Sequence, residues 1–98
     1  MEIKITKLNN LEFWSDGYAM VSAVHFKLDG EDYFLHYSDE EGERRLALYK
    51  GRNKCHLTHI KSCWGDLRGM IRFVRKPGCL KYVDTDNFLK KLKEYRLL

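Results

Sequence analysis

"KCHLTHIKSCWGDLRGMIRFVRK", residues 54–76, decides the fold, because it can be read as one long helix or as pieces of a sheet. Leu57, Ile60, Trp64, Leu67, Ile71 and Val74 recur at spacings of three and four. On a helical wheel they share an arc of about 100°, which predicts a core-facing stripe. Lys61, Arg68, Arg72 and Arg75 cluster beside it. Gly65 and Gly69 oppose a helix by roughly 1 kcal/mol each relative to alanine. Pro77 and Gly78 end it in the ordinary way. In the rival parse the helix stops near Gly69, and "MIRFVRKPGCLKYV" is a hairpin around Lys76-Pro77-Gly78-Cys79, with proline and glycine at the favoured positions of a type II turn. The long helix is preferred because all six stripe positions fit it. Trp64 then anchors the core, and Trp64→Ala is expected to cost about 3–5 kcal/mol.

On the C-terminal side, "CLKYV" reads as a strand and "DTDNFLKKLKEYRLL" as a helix. Asp84, Thr85 or Asp86 caps that helix, Phe88, Leu89, Leu92 and Tyr95 face inward, and Lys90, Lys91, Lys93 and Arg96 face water.

On the N-terminal side the pattern changes to a period of two. "EIKITKL" alternates, with Ile3, Ile5 and Lys7 on one side; "LEFW" and a turn at "SDG" follow. Asp29-Gly30 lies between "YAMVSAVHFKL" and "EDYFLHYS". Asp-Gly between alternating apolar runs is a strong hairpin signal, because a type I′ turn needs positive φ at both central residues. That turn pairs Leu28 with Glu31, Lys27 with Asp32, Phe26 with Tyr33, His25 with Phe34, Val24 with Leu35 and Ala23 with His36. Met20, Val24, Phe26, Leu28, Tyr33, Leu35 and Tyr37 form the expected core face, joined by Leu46 and Leu48 of a further strand, "RRLALYK". Val21, Ala23, His25, Lys27, Asp32, Phe34 and His36 form the other, joined by Arg45, Ala47 and Tyr49. The expected fold is α+β: residues 1–98 as a single domain, with an antiparallel sheet of about four to five strands and about two helices packed on one face.

Composition bounds the function. The chain has 98 residues, 44% of them hydrophobic and 13% aromatic, which suits one folded core. No apolar run approaches the ~18 residues of a membrane span, and the N-terminus lacks a signal peptide's apolar centre. Three cysteines, an odd number, argue for a reducing, cytoplasmic setting. Residues 1–49 carry five Lys and Arg against ten Asp and Glu, and residues 50–98 carry thirteen against four; the halves thus differ in sign. Such asymmetry implies an anionic partner for the second half or pairing between the halves.

Three groups of residues have chemical potential. Cys55, His59 and Cys63 follow one another at intervals of four, the spacing of ligands on one helical face, but there is no CxxC or HxxxH to complete a zinc site. His25 and His36 share a sheet face as diagonal neighbours, and a pair of imidazoles can serve as base and acid on a phosphodiester, with Lys27 or Arg45 steadying the phosphate. Lys50, Arg52, Lys54, Lys61, Arg68, Arg72, Arg75 and Lys76 form a basic set containing one acid, Asp66. They suit phosphate contacts that do not read sequence, with Phe34 and Tyr49 as stacking platforms. No phosphate-binding glycine loop or nucleophile motif is present, and nothing asks for a cofactor.

The leading expectation is a non-enzymatic binding module whose basic second half engages nucleic acid, a nucleoprotein or an acidic protein surface. The alternatives are an inhibitor of the phage or mobile-element type, which blocks a host nuclease or nucleoprotein by protein contact, and a metal-independent ribonuclease using His25 and His36.

Overall fold

Backbone alternation and turn chemistry build a sheet of five antiparallel strands. The computed structural model describes residues 2–10, 12–13, 19–51, 57–67, 70–76 and 79–98, with backbone alone at 13, 19–20, 73–76 and 79–82. The strands are β1 (Ile3–Asn9), β2 (Glu12–Phe13), β3 (Ala19–Met20), β4 (Ala23–Leu28), β5 (Glu31–Glu40), β6 (Glu43–Lys50), β7 (Thr58–Trp64), β8 (Phe73–Lys76) and β9 (Cys79–Val83); α1 (Thr85–Glu94) follows. The main sheet has the order β1-β4-β5-β6-β7, while β2 pairs with β3 and β8 with β9 in two small ribbons.

The Asp29-Gly30 turn has the expected positive φ at both residues, 49° and 83°. It enforces every pair anticipated between β4 and β5, from Leu28 with Glu31 to Ala23 with His36. The expected core face is buried accordingly. Val24, Phe26, Leu28, Leu35, Tyr37, Leu46 and Leu48 join Leu67, Met70, Ile71, Phe88, Leu92 and Leu97 in one hydrophobic cluster, with Tyr33 packed against it. α1 lies on this face, where Phe88 meets Phe26 edge-on at 5.2 Å between ring centres. Asp84 is its N-cap and accepts a hydrogen bond from the Asn87 amide at 3.1 Å.

The long helix predicted from Leu57 to Val74 does not form. Residues 58–64 are a strand on the edge of β6, and residues 73–76 pair with β9 across Pro77-Gly78 as in the rival parse, with Lys76 opposite Cys79. Among the described residues α1 is the one helix. Leu67 and Ile71 reach the core, but Ile60 is 45% exposed and Trp64 59% exposed, so the six-position stripe is split. Strand formation satisfies the outer backbone groups of β6, which helix formation would have left unpaired. Gly65 closes the strand, and its missing side chain is required: a Cβ there would lie 2.7 Å from Tyr95 Cε1 and 2.9 Å from Leu46 Cδ1.

Two irregularities change which side chains face where. The β1–β4 register shifts between Ile5 and Lys7, so Leu8 packs on the core while Lys7 turns outward opposite His25. Val21, expected on the outer face, is fully buried in the core. Ser22 breaks the alternation there: its amide donates to Asn9 O and its carbonyl accepts from the Tyr37 amide, both at 2.9 Å.

Candidate nucleic-acid interface

The sheet face opposite α1 gathers the unusual side chains. Its strands align Lys7, His25, Phe34, Tyr49 and His59 in one row across all five strands. The rings form a continuous ladder: His25–Phe34 at 4.7 Å, Phe34–Tyr49 at 6.1 Å and Tyr49–His59 at 5.3 Å between centres. Such cross-strand aromatic contacts stiffen the sheet and present π-faces at its surface. Phe34 is the floor of the ladder, only 8% exposed. Beside it run Asn9, Ala23, His36, Ala47 and Ser62, whose two alanines leave room. A concavity of about 570 Å³ lies here, lined in part by Lys7, Asn9, Ala23, Phe34 and His36. On the other side of the row a second concavity of about 340 Å³ is lined by Lys7, His25, Lys27 and Asp32 among others.

Farther along β6 and β7, Arg45 stands opposite Trp64. Its guanidinium carbon lies 4.6 Å from the indole centre, a cation–π pair on an exposed edge. His59 is tied to Ser62 by a 2.7 Å hydrogen bond between Nε2 and Oγ, which holds its imidazole beside Tyr49.

His25 and His36 do share this face, but Phe34 intervenes. Its ring stacks 6.1 Å from His36 and tilts against His25 at 4.7 Å. Burial, and then the charge of Lys7, hold His25 below its ordinary value of 6.5. A neutral ring fits its 3.3 Å contact with the Asn9 side-chain amide, which donates to His25 Nε2. Asp32, the neighbouring acid, is engaged with Lys27 at 4.0 Å, as the register implied.

The spacing of Cys55, His59 and Cys63 loses its meaning in a strand. The register shift at Ile60 places His59 opposite Tyr49 on the open face and Cys63 opposite Leu46 on the core face, so the two diverge. Burial raises the Cys63 thiol above its ordinary value, as suits a small packed hydrophobe. Cys55 lies outside the described residues, among which no group of three metal-ligating side chains occurs.

The described members of the basic set are not aligned along a helix, because residues 58–64 are a strand. Lys50, at the end of β6, pairs with Glu31 at 2.7 Å. Lys61 projects from β7 on the side of Leu48, away from the aromatic row. Arg72 precedes β8 and is exposed, and Arg75 and Lys76 belong to the β8 backbone. Arg52, Lys54 and Arg68 fall outside the described residues. Part of the charge asymmetry is internal: Lys50 to Glu31 joins a cation of the basic half to an acid of the acidic half. Among the described residues, the cations on the aromatic face are Lys4, Lys7, Lys27 and Arg45. Lys7 was missed because the bulge in β1 leaves no sequence signal, whereas Lys4 follows from the alternation with Ile3 and Ile5; His59 was missed as a ladder member because β7 was read as helix.

Fold and face together define a small antiparallel sheet module, covered by a helix on one side and aromatic on the other. No family model, no curated protein and no solved structure matches the chain. No helix among the described residues is long and apolar enough to cross a membrane.

Proposed function

We propose that this protein is a non-enzymatic binding module for nucleic acid or a nucleoprotein, and that the open sheet face is its contact surface. The observation that carries this reading is the aromatic row of His25, Phe34, Tyr49 and His59, with Lys7 at its β1 end and the Arg45–Trp64 pair alongside. Aromatic side chains on a sheet offer stacking surfaces to bases, and neighbouring cations offer partners to phosphates. The contributing cations differ from the basic set of the second half; Lys4, Lys7 and Lys27 belong to the first. Labelled oligonucleotides titrated against the full chain at rising salt test the reading. Log affinity should fall linearly with log salt, by about 0.7 to 0.9 per phosphate contact. A response flat in salt, or no binding at all, counts against it.

A second reading has its own support. Trp64 and Ile60 are large and exposed on the same edge strand, and exposed tryptophan is a frequent anchor of protein interfaces. An inhibitor docking by β7 on a nucleoprotein would keep its partner after nuclease treatment, whereas a partner held through nucleic acid would be lost. The ribonuclease reading gains nothing from the geometry: Phe34 stands between the imidazoles, and among the described residues neither ring contacts an acid that would orient it.

A further inference from the structure

The corner of the sheet at β1 and β4 holds more positive charge than it neutralises. Lys4 stands directly opposite Lys27 in the register, a like-charge cross-strand pair that costs stability unless an anion joins it. The bulge after Ile5 then turns Lys7 onto the same face, three residues beyond Lys4. Bulges commonly re-aim a side chain in this way. Among the described residues Asp32 is the carboxylate paired with this group of lysines, and its contact with Lys27 is long at 4.0 Å. His25 beside them is held toward neutrality and so adds little charge. The concavity of about 340 Å³ opens between Lys7 and Lys27.

The far side of the face has the opposite character. Tyr49, His59 and Trp64 lie on the two last strands, with His59 and Trp64 exposed and Tyr49 half-buried. The two regions are separated by strand spacings of about 4.8 Å, so β1 and β7 lie roughly 19 Å apart across the sheet. A ligand spanning both must offer anionic groups at one end and flat apolar surfaces at the other. A duplex offers phosphates but keeps its base faces stacked internally. Nor does this face carry an element that would enter a groove, since α1 is packed with Phe88 and Leu92 in the core on the opposite side.

We infer that the ligand of this face is single-stranded nucleic acid lying across the strands, with phosphates on Lys4, Lys7 and Lys27 and unpaired bases stacked on Tyr49, His59 and Trp64. This rests on the nucleic-acid reading proposed above. Its test compares a fluorescein-labelled oligothymidylate of about twelve nucleotides, a length within the usual range of single-strand sites, with a duplex of equal length by fluorescence anisotropy. The single strand should bind at least roughly tenfold more tightly. Tyr49→Ala and Trp64→Ala should each weaken single-strand binding by roughly tenfold, the scale of one lost base stack. Lys7→Gln should reduce the salt slope by about 0.7, one phosphate contact. Circular dichroism of each variant confirms that the sheet persists. Equal or tighter binding of the duplex would overturn this inference while leaving the broader reading intact. Single-strand binding unaffected by both aromatic changes would overturn the stacking assignment. Binding of neither probe would overturn inference and reading together.

Discussion

Trp64 and Gly65 are consecutive residues with opposite demands on their surroundings. Trp64 was expected to anchor the core, yet it is 59% exposed and its main described contact is the guanidinium of Arg45. Trp64→Ala should therefore cost only about 1 kcal/mol or less, the scale of an exposed cation–π pair. Urea denaturation checks this; a loss of several kcal/mol would mean the indole is buried in solution. Gly65 sits where the side chains of Tyr95 and Leu46 converge, so an added methyl must displace one of them. Gly65→Ala should destabilise by about 1–3 kcal/mol, the usual cost of overpacking. Phe88, fully buried against Phe26, is the aromatic residue whose loss should be severe: Phe88→Ala should cost about 3–5 kcal/mol in the same assay.

Each element shows how local chemistry and long-range support combine. α1 begins where Asp84 caps it, and the same residue donates its amide to Arg72 O at 2.7 Å. Asn87, in the first turn, donates its side-chain amide to Met70 O at 3.0 Å. The helix start is thus tied to the segment carrying Met70 and Ile71, both fully buried. Asp84→Ala should lower stability by about 1 kcal/mol, while Asp84→Asn should retain most of it, because either capping side chain can accept from the Asn87 amide. Equal losses in thermal melts would assign the role to charge and not to capping. The edge strands β1 and β7 share a different device: each has a register shift and exposed lysines, Lys4 and Lys7 on the open face of one and Lys61 on the opposite face of the other. Both features discourage pairing with another sheet edge, and in β1 the shift also places Lys7 on the open face.

At the scale of the whole molecule, one side of the sheet packs against α1 and the other is open. His25 connects the two, since it is half-buried on the open face and its backbone lies between two paired strands of the sheet. Its folded value lies below 6.5 because burial, and then Lys7, disfavour the imidazolium. The unfolded chain therefore takes up a proton more readily than the folded one. The resulting contribution to stability is fully present above pH 6.5 and is lost as pH falls from there through the folded value. The melting temperature should fall over that window, and His25→Gln should flatten this part of the profile. An unchanged slope in the variant would place the protonation elsewhere.

The antiparallel hairpin, its register, the core face of β4 to β6 and the cap and inner face of α1 were legible in the sequence, because each rests on signals within a few residues. Asp29-Gly30 admits positive φ at both positions, and one fixed turn then propagates through a strict period of two. The aromatic row was partly legible for the same reason, since the register placed Phe34 and Tyr49 on the outer face, although Phe34 is buried there beneath its neighbours and is not the exposed platform expected. Residues 57–76 were not, since their apolar residues satisfy a helical period while most of the described ones adopt strands. What selects the strand is distant: the outer edge of β6 needs partners for its backbone groups, and Gly65 must admit Tyr95 and Leu46. The bulge that brings Lys7 beside His25 depends in the same way on how β1 docks against β4. Local pattern determined which residues alternate and where the chain turns; tertiary pairing alone decided which edge residues meet, because a hydrogen-bond ladder is satisfied between strands and not within them.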